Sequence, residues 1–332
     1  MRVFVLGAGA SAHVGYPLTK NLGPELIKFI ADSPGPRNYL YWPDPDELKS
    51  YGRLEDIEEI VTQVERSERP GPILAGLREA VCVFFDTVRS NDAPLYQQLA
   101  SEVIQGGDVA ITFNYDLSLD RELRKAGNWE ISDGYGFDLG IRNVPKSATT
   151  LLKLHGSTNW IDSLLGGMRA GKFSQGYGWD SLGFRPVVLP SEFEFFGYEG
   201  VTDPMFSGGG VDRSGSMILP SRNKRFYVQT SINQREREAF WSALWAQAGT
   251  ALRNADEVVI IGYSLPEADT EARRLLLQVT NKDSSLTICC GQDTDRVEKE
   301  FARNGFSRVR TDSKRFEDWL TVQRCRAAQK CA

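Results

Sequence analysis

Arg2-Val3-Phe4-Val5-Leu6-Gly7-Ala8-Gly9-Ala10-Ser11-Ala12 is the stretch on which the fold turns. Residues 2–6 form an apolar run of the length of one buried strand. The glycines follow at once, in the pattern G-x-G-x-x-[GA]. Such glycines permit a tight turn and let backbone N–H groups approach a pyrophosphate. Pro17 then marks the first turn of a helix, where its missing N–H costs nothing. Strand, glycine turn and helix together are the context a nucleotide-binding loop needs. Gly7, Ala8, Gly9 and Ser11 are therefore candidate binding residues. A dehydrogenase would add a second strand ending on an acidic residue about 20 positions on. Asp32 has that spacing, but Ala31-Asp32-Ser33-Pro34-Gly35-Pro36 reads as loop, which argues against a dehydrogenase.

Outward from this stretch the chain alternates. The region 24–50 reads mostly as loop. Residues 54–66 place Leu54, Ile57, Ile60, Val61 and Val64 on one helical face. Two more amphipathic helices are expected at 72–90 and 93–105. A strand at 108–113 precedes a helix at 117–125, and the apolar run 151–154 is a further strand. Residues 165–230 lack periodicity and read as short strands and long loops, the kind that often act as lids. After that, helix 234–253, strand 257–261, helix 267–280, strand 286–290, helix 293–304, a short strand near 307–310 and helix 314–328 are expected. The expectation is an α/β protein built on one doubly wound, Rossmann-like parallel sheet. The chain reads as a single domain, 1–332, with a helical insertion at about 40–105. An irregular insertion at about 157–230 completes a small second lobe over the carboxyl edge of the sheet.

Composition narrows the function classes. Of 332 residues, 41% are hydrophobic and 25% charged, a balance suited to a globular core rather than to disorder. The net charge of −5 and the lack of a long Lys/Arg block give no indication of direct nucleic-acid binding. No apolar run is long enough to span a bilayer, and Val3–Leu6 is too short for a signal-peptide core. No membrane partner and a cytoplasmic location are expected. The five cysteines are odd in number and include no C-x-x-C pair. They suggest neither a disulfide framework nor a metal site. Cys289 and Cys290 should point to opposite faces at a strand end.

Three further strand ends carry chemistry-bearing residues. Thr112-Phe113-Asn114-Tyr115-Asp116 places an amide and a carboxylate where they can meet ribose hydroxyls or a carboxamide; Asp116 alone would serve equally as a helix cap. Leu154-His155-Gly156-Ser157 holds one of only two histidines, and a neutral imidazole there is a general base. His13 reads as a rim residue of the glycine loop. Gly262-Tyr263-Ser264-Leu265-Pro266 offers a glycine for close approach and a hydroxyl for a phosphate or ribose, or is simply a strand-to-helix turn. Asp269, farther along, either reaches the same mouth or stays solvated.

Taken in order, these segments resemble the sirtuin-like superfamily. Gly7-Ala8-Gly9-Ala10-Ser11 stands for its Gly-Ala-Gly-x-Ser, Gly15-Tyr16-Pro17 for Gly-Ile-Pro, Thr112–Asp116 for Thr-x-Asn-x-Asp, His155-Gly156 for the His-Gly pair and Gly262–Leu265 for Gly-x-Ser-Leu. The wording of these motifs is most similar to the bacterial branch of sirtuin-like NAD+ hydrolases of antiphage defence. Two features of deacetylating sirtuins are missing: the four-cysteine zinc module, and the Asp-Phe-Arg after Gly-Ile-Pro, replaced by Leu18-Thr19-Lys20.

The resemblance implies that NAD+ is a consumed substrate, with no metal. It implies Asn114 and His155 as the catalytic pair and Asp116 at the nicotinamide end. Gly9 and Ser11 would line the phosphates, with Gly262 and Ser264 on the adenosine side. Gly7, Ala8, Thr112, Phe113 and Gly156 complete the expected binding set. The implied reaction is cleavage to nicotinamide and ADP-ribose by an abortive-infection effector. Alternatives are transfer of ADP-ribose to another acceptor, deacylation, or a non-catalytic module binding NAD+ or ADP-ribose. A homo-oligomer, or a separately encoded partner such as an ATPase or an Argonaute-like protein, is the expected means of control.

Overall fold

The computed structural model describes residues 1–33, 42–54, 56–88, 92–138, 145–161, 187–188, 217–222, 234–311 and 314–331. Its centre is β1 (Arg2–Leu6), in which Val3, Phe4, Val5 and Leu6 are all fully buried. Consecutive buried residues point to opposite faces, so both faces of the sheet are covered. β1 pairs in parallel with β2 (Val109–Thr112) on one side. β3 (Thr150–Lys153) extends the sheet beyond β2. Two residues of β4 (Trp160–Ile161) pair antiparallel with β5 (Val187–Val188) in a separate ribbon.

On its other side β1 pairs in parallel with β6 (Glu257–Ile261), and β7 (Ser285–Cys289) and β8 (Val309–Arg310) follow. The main sheet has six strands in the order β3-β2-β1-β6-β7-β8. Counted among themselves, these strands run 3-2-1-4-5-6, the doubly wound dinucleotide-binding order. The order in which strands are laid across the sheet reverses between β1 and β6. Ligands of such folds sit outside the carboxyl ends of the strands at that point.

The chain between β1 and β2 is helical. It holds α1 (Thr19–Asp32), α2 (Pro45–Lys49), α3 (Ile57–Arg66), α4 (Pro70–Val88) and α5 (Pro94–Gln98), with a π-helical turn at Leu99–Val103. Among the described residues no strand lies between α1 and β2, so the acidic strand end of a dehydrogenase has no counterpart among them. Asp32 is the last residue of α1 rather than part of a loop, and the helix runs through Pro24. Leu22, Leu26, Ile27 and Ile30 form its buried stripe, and burial of that stripe outweighs the loss of one backbone bond at proline. α3 begins at Ile57 rather than 54 because the Asp56 carboxylate caps the Glu59 N–H at 2.9 Å. Ile57, Ile60, Val61 and Val64 are buried as their spacing predicts, and Leu54 packs just ahead of the cap.

After β2 come α6 (Ser118–Lys125), α7 (Gln234–Arg253), α8 (Thr270–Arg274), α9 (Thr294–Arg303) and α10 (Phe316–Cys331). The single helix expected at 267–280 starts later, and its second half is a π-helical turn at Leu275–Val279. Of the loop-rich stretch 165–230, residues 187–188 and 217–222 lie within the described part; the rest lies outside it. Met217 bridges Gly156, which ties this segment to the end of β3. Among the described residues, no helix is long and apolar enough to cross a membrane.

Candidate active site

The turns after β1 and β6 meet backbone to backbone at the switch point. Gly7 N–H donates to Ile261 O at 3.0 Å, and Gly9 N–H to Gly262 O at 2.9 Å. A Cβ on Gly262 would stand 2.1 Å from Ala10 N, and one on Gly9 would stand 2.8 Å from Gly262 Cα. Gly262 also has φ +63°. Close approach of two backbones thus requires glycine on both sides. Gly9 borders the cleft, but its N–H is already engaged. The phosphate hydrogen bond expected of it is not available without parting the two turns.

Ala8–Val14 coils into a 3-10 helix, and α1 starts at Thr19, two residues after Pro17. This coil turns Ser11 inward. Ser11 Oγ donates to Asp116 Oδ2 at 2.7 Å and accepts Asn114 Nδ2 at 3.0 Å. Its one proton being given to Asp116, the 2.7 Å contact with Tyr96 must run from the Tyr96 hydroxyl to Ser11. Ser11 has therefore used its full hydrogen-bonding capacity inside the protein. Asp116 Oδ1 accepts the Ser118 N–H at 2.9 Å at the start of α6, and the residue is buried. Asp116 thus lies one residue ahead of the N-cap position, Leu117, and also borders the cleft.

Asn114 Nδ2 also donates to Gly7 O at 2.9 Å. Both amide protons are then committed, so what this half-buried side chain offers a ligand is Oδ1, an acceptor suited to a ribose hydroxyl. Asn114 N–H itself donates to Thr112 Oγ1 at 3.1 Å. Thr112 thus holds the loop rather than lining the cleft.

His155 follows β3, 5% exposed, among the rings of Phe113, Tyr115 and Trp245 at centroid distances of 5.1, 6.5 and 6.5 Å. Its backbone is fixed on both sides: Trp245 Nε1 donates to Leu154 O at 3.2 Å, and Ile218 N–H to His155 O at 2.9 Å. Nε2 lies 3.5 Å from Asp269 Oδ2. That same oxygen accepts the Tyr263 hydroxyl at 2.9 Å. Burial, reinforced by the charge of Asp269, pushes the Tyr263 hydroxyl well above its ordinary range, so it is a donor at all working pH. Beneath the loop, the fully buried Lys153 ammonium donates to Asp116 O at 2.5 Å and pairs with Asp120 at 3.2 Å.

These residues wall one cleft of about 1310 Å³, on the scale of sites that enclose small molecules. Of the expected binding set, Ala8, Gly9, Ser11, Phe113, Asn114, Asp116, His155, Gly262 and Ser264 line it. Gly7, Thr112 and Gly156 do not; they position it instead. Gly7 and Thr112 accept from Asn114, and Gly156 takes φ +83° where the chain turns from β3 toward Met217. Cys289 and Cys290 both border the cleft; Cys290 lies beyond the end of β7, where its Sγ donates to Tyr263 O at 3.2 Å. His13 lines it too, its Nδ1–H donating to Ala10 O at 2.8 Å, with burial lowering its pKa from 6.5. Exposed Lys20, Arg53 and Arg315 add positive charge to a rim that also carries Asp56, Glu58, Asp293 and Glu317.

Tyr96 and Tyr263 escaped the sequence reading, and Asp269 was left undecided by it. Tyr96 lies in α5, with no motif around it. Asp269 occupies the N-cap position of α8 yet accepts no helix N–H there, so its residue type alone points to the wrong partner. Among the described residues, no cluster of three or more His, Cys, Asp or Glu side chains is arranged to hold a metal ion.

No protein-family model matches the chain, and no curated protein matches it. Among solved structures, one described as "Structural Basis for the Mechanism and Regulation of Sir2 Enzymes" is similar at 14% identity. That match covers 98% of this chain and 93% of the other, with a TM-score of 0.37. A likeness at that score carries no argument about the site, whose reading rests on its own residues.

Proposed function

We propose that this chain binds NAD+ in the cleft at the β1/β6 switch point and hydrolyses its nicotinamide–ribose bond, giving nicotinamide and ADP-ribose. The observation that carries the reading is the convergence of Asn114 and His155, from two different strand ends, on the cleft closed by the two glycine turns. Nicotinamide leaves as a neutral base from a cationic linkage, so the leaving group needs no acid. The transition state resembles an oxocarbenium ion, as in glycoside cleavage. Asn114 Oδ1 accepts a ribose hydroxyl and fixes the sugar. His155 takes a proton from the attacking water as the water oxygen bonds to the anomeric carbon, and the electrons of the broken bond return to the nicotinamide nitrogen. The apolar wall of Phe113 and the buried rings around it limits access of bulk water.

General-base assistance of this kind contributes about 10²–10⁴-fold. His155→Ala and Asn114→Ala are expected to lose nicotinamide release by that order while keeping the circular dichroism of the parent. Undiminished release by a folded His155→Ala protein would rule out the assignment. Mass spectrometry of products decides the acceptor: free ADP-ribose supports water, and a modified protein, nucleotide or O-acyl-ADP-ribose supports transfer or deacylation. Calorimetric binding of NAD+ without any nicotinamide release, partners included, supports a binding module. The biological role we infer is depletion of cellular NAD+ as an antiphage effector, under the control of self-assembly or of a separately encoded ATPase or Argonaute-like partner.

A further inference from the structure

Asp269 holds the place of an ordinary cap without acting as one. It stands at the N-cap position of α8, where an aspartate commonly accepts a helix N–H, but it makes no such bond. Its carboxylate is turned the other way, 1% exposed, with Oδ2 at 2.9 Å from the Tyr263 hydroxyl and 3.5 Å from His155 Nε2. A buried carboxylate disfavours its own charge unless it is paired, and its pairing here runs toward the proposed general base. The backbone supports that orientation. Leu265 adopts φ +53°, uncommon for a branched residue, within the turn that carries Tyr263 and leads to Asp269. Arg273 Nη1 donates to Leu265 O at 2.9 Å, pinning the turn from α8.

We propose that Asp269 is a positioning residue that holds His155 in one tautomer, with the proton on Nε2, and stabilises the imidazolium formed during turnover. The lone pair is then on Nδ1, and the proton taken from water is accepted there. Tyr263 is the second holder: its hydroxyl binds the oxygen that faces the imidazole and keeps the carboxylate from rotating into the cap position. This rests on the NAD+-cleavage reading only for its kinetic consequences; the pairing itself is a property of the free protein. An aspartate in this relation to a histidine matters chiefly through tautomer and orientation, and removing its charge without changing its shape costs about 10⁴-fold in serine proteases.

The groups that face His155 define what its titration should report. The turn after β6 contributes Asp269 and, through it, Tyr263. The loop after β2 contributes Tyr115, which burial raises far above the physiological range, together with uncharged Phe113. α7 contributes uncharged Trp245. α3 approaches through Glu58 and α4 through Arg78 and Cys82, all of which act on Tyr115. Among them Asp269 is the carboxylate set against the ring itself, 3.5 Å from Nε2.

The test is a pair of readouts on Asp269→Asn and Tyr263→Phe. The chain has only two histidines, so the His155 imidazole is identified in proton–nitrogen NMR by its absence from His155→Ala. In Asp269→Asn, the His155 titration should fall by about one pH unit or more, because an opposite charge no longer favours the imidazolium. Nicotinamide release should fall about 10²–10⁴-fold, with the acid limb of its pH profile moving down alongside the NMR value and NAD+ affinity changing only a few-fold. Tyr263→Phe frees the Asp269 oxygen from a competing donor and should move both values the other way, with a smaller loss of rate. Asp269→Glu should recover part of the rate. An imidazole titration unchanged in both variants overturns the pairing, as does a movement of the same sign in both. If Asp269→Asn does not fold, the upward movement in Tyr263→Phe decides by itself. If the parent protein releases no nicotinamide, the hydrolase reading fails while the NMR titration still answers for the pairing.

Discussion

A single methyl group at position 262 would collide with the backbone of the opposing turn, 2.1 Å from Ala10 N. Gly262→Ala should therefore lose about 1–3 kcal/mol from the positive φ alone, with a further loss from the contact. Chemical denaturation should show the loss, and NAD+ affinity should fall with it, because the turn that must retreat is the one carrying Ser11 and Asn114's acceptor. At this scale the sequence told residue type better than residue role. Gly7 and Gly9 are where a nucleotide loop needs glycine, yet their Cβ positions are filled by Gly262 and Tyr263. Only the three-dimensional meeting of two turns distinguishes that cause from a bound phosphate. That Asn114 and His155 border one cleft was legible because each lies just beyond the end of a strand of the sheet. Tyr96 was not, since one phenol in an amphipathic helix looks like any other core residue until its hydroxyl is seen at Ser11.

At the scale of elements, the strand ends are tied together beneath the cleft by an ion pair. Lys153, the last residue of β3, is fully buried with Asp120 of α6, and Tyr135 donates to the same carboxylate at 2.5 Å. Asn159 Nδ2 reaches the Tyr135 hydroxyl at 3.1 Å. Lys153→Met should cost about 3–5 kcal/mol, because it leaves a buried carboxylate without its countercharge. The double variant Lys153→Met, Asp120→Asn should recover much of that, and a double-mutant cycle in denaturant measures the difference. Strand and helix existence was readable from periodicity; α7 and β6 fall at the bounds their pattern predicts. The exceptions have physical causes. α1 extends through Pro24 because its apolar stripe is buried, and α8 passes into a π-helical turn at Leu275–Val279, where Leu275, Leu276 and Leu277 are all buried. Neither effect leaves a mark on a single-residue propensity.

For the whole molecule, the doubly wound parallel sheet was legible in the alternation of strands and helices, whereas its order 3-2-1-4-5-6 is set by which strands meet in space. If control is by assembly, size-exclusion chromatography should show a higher-order species that hydrolyses NAD+, or a quiescent protein that gains activity with its partner. A lone monomer turning over NAD+ constitutively would contradict control of either kind. The contact of the two glycine turns has a temporal consequence as well. β1 and β6 are neighbours in the sheet but lie far apart in the sequence, with β2 and β3 of the main sheet formed between them. During synthesis the first turn waits with no surface to close upon until the sixth strand has left the ribosome and docked. The cleft is therefore among the last features to be completed, and a chain arrested before residue 257 would carry Asn114 and His155 yet possess no site in which to use them.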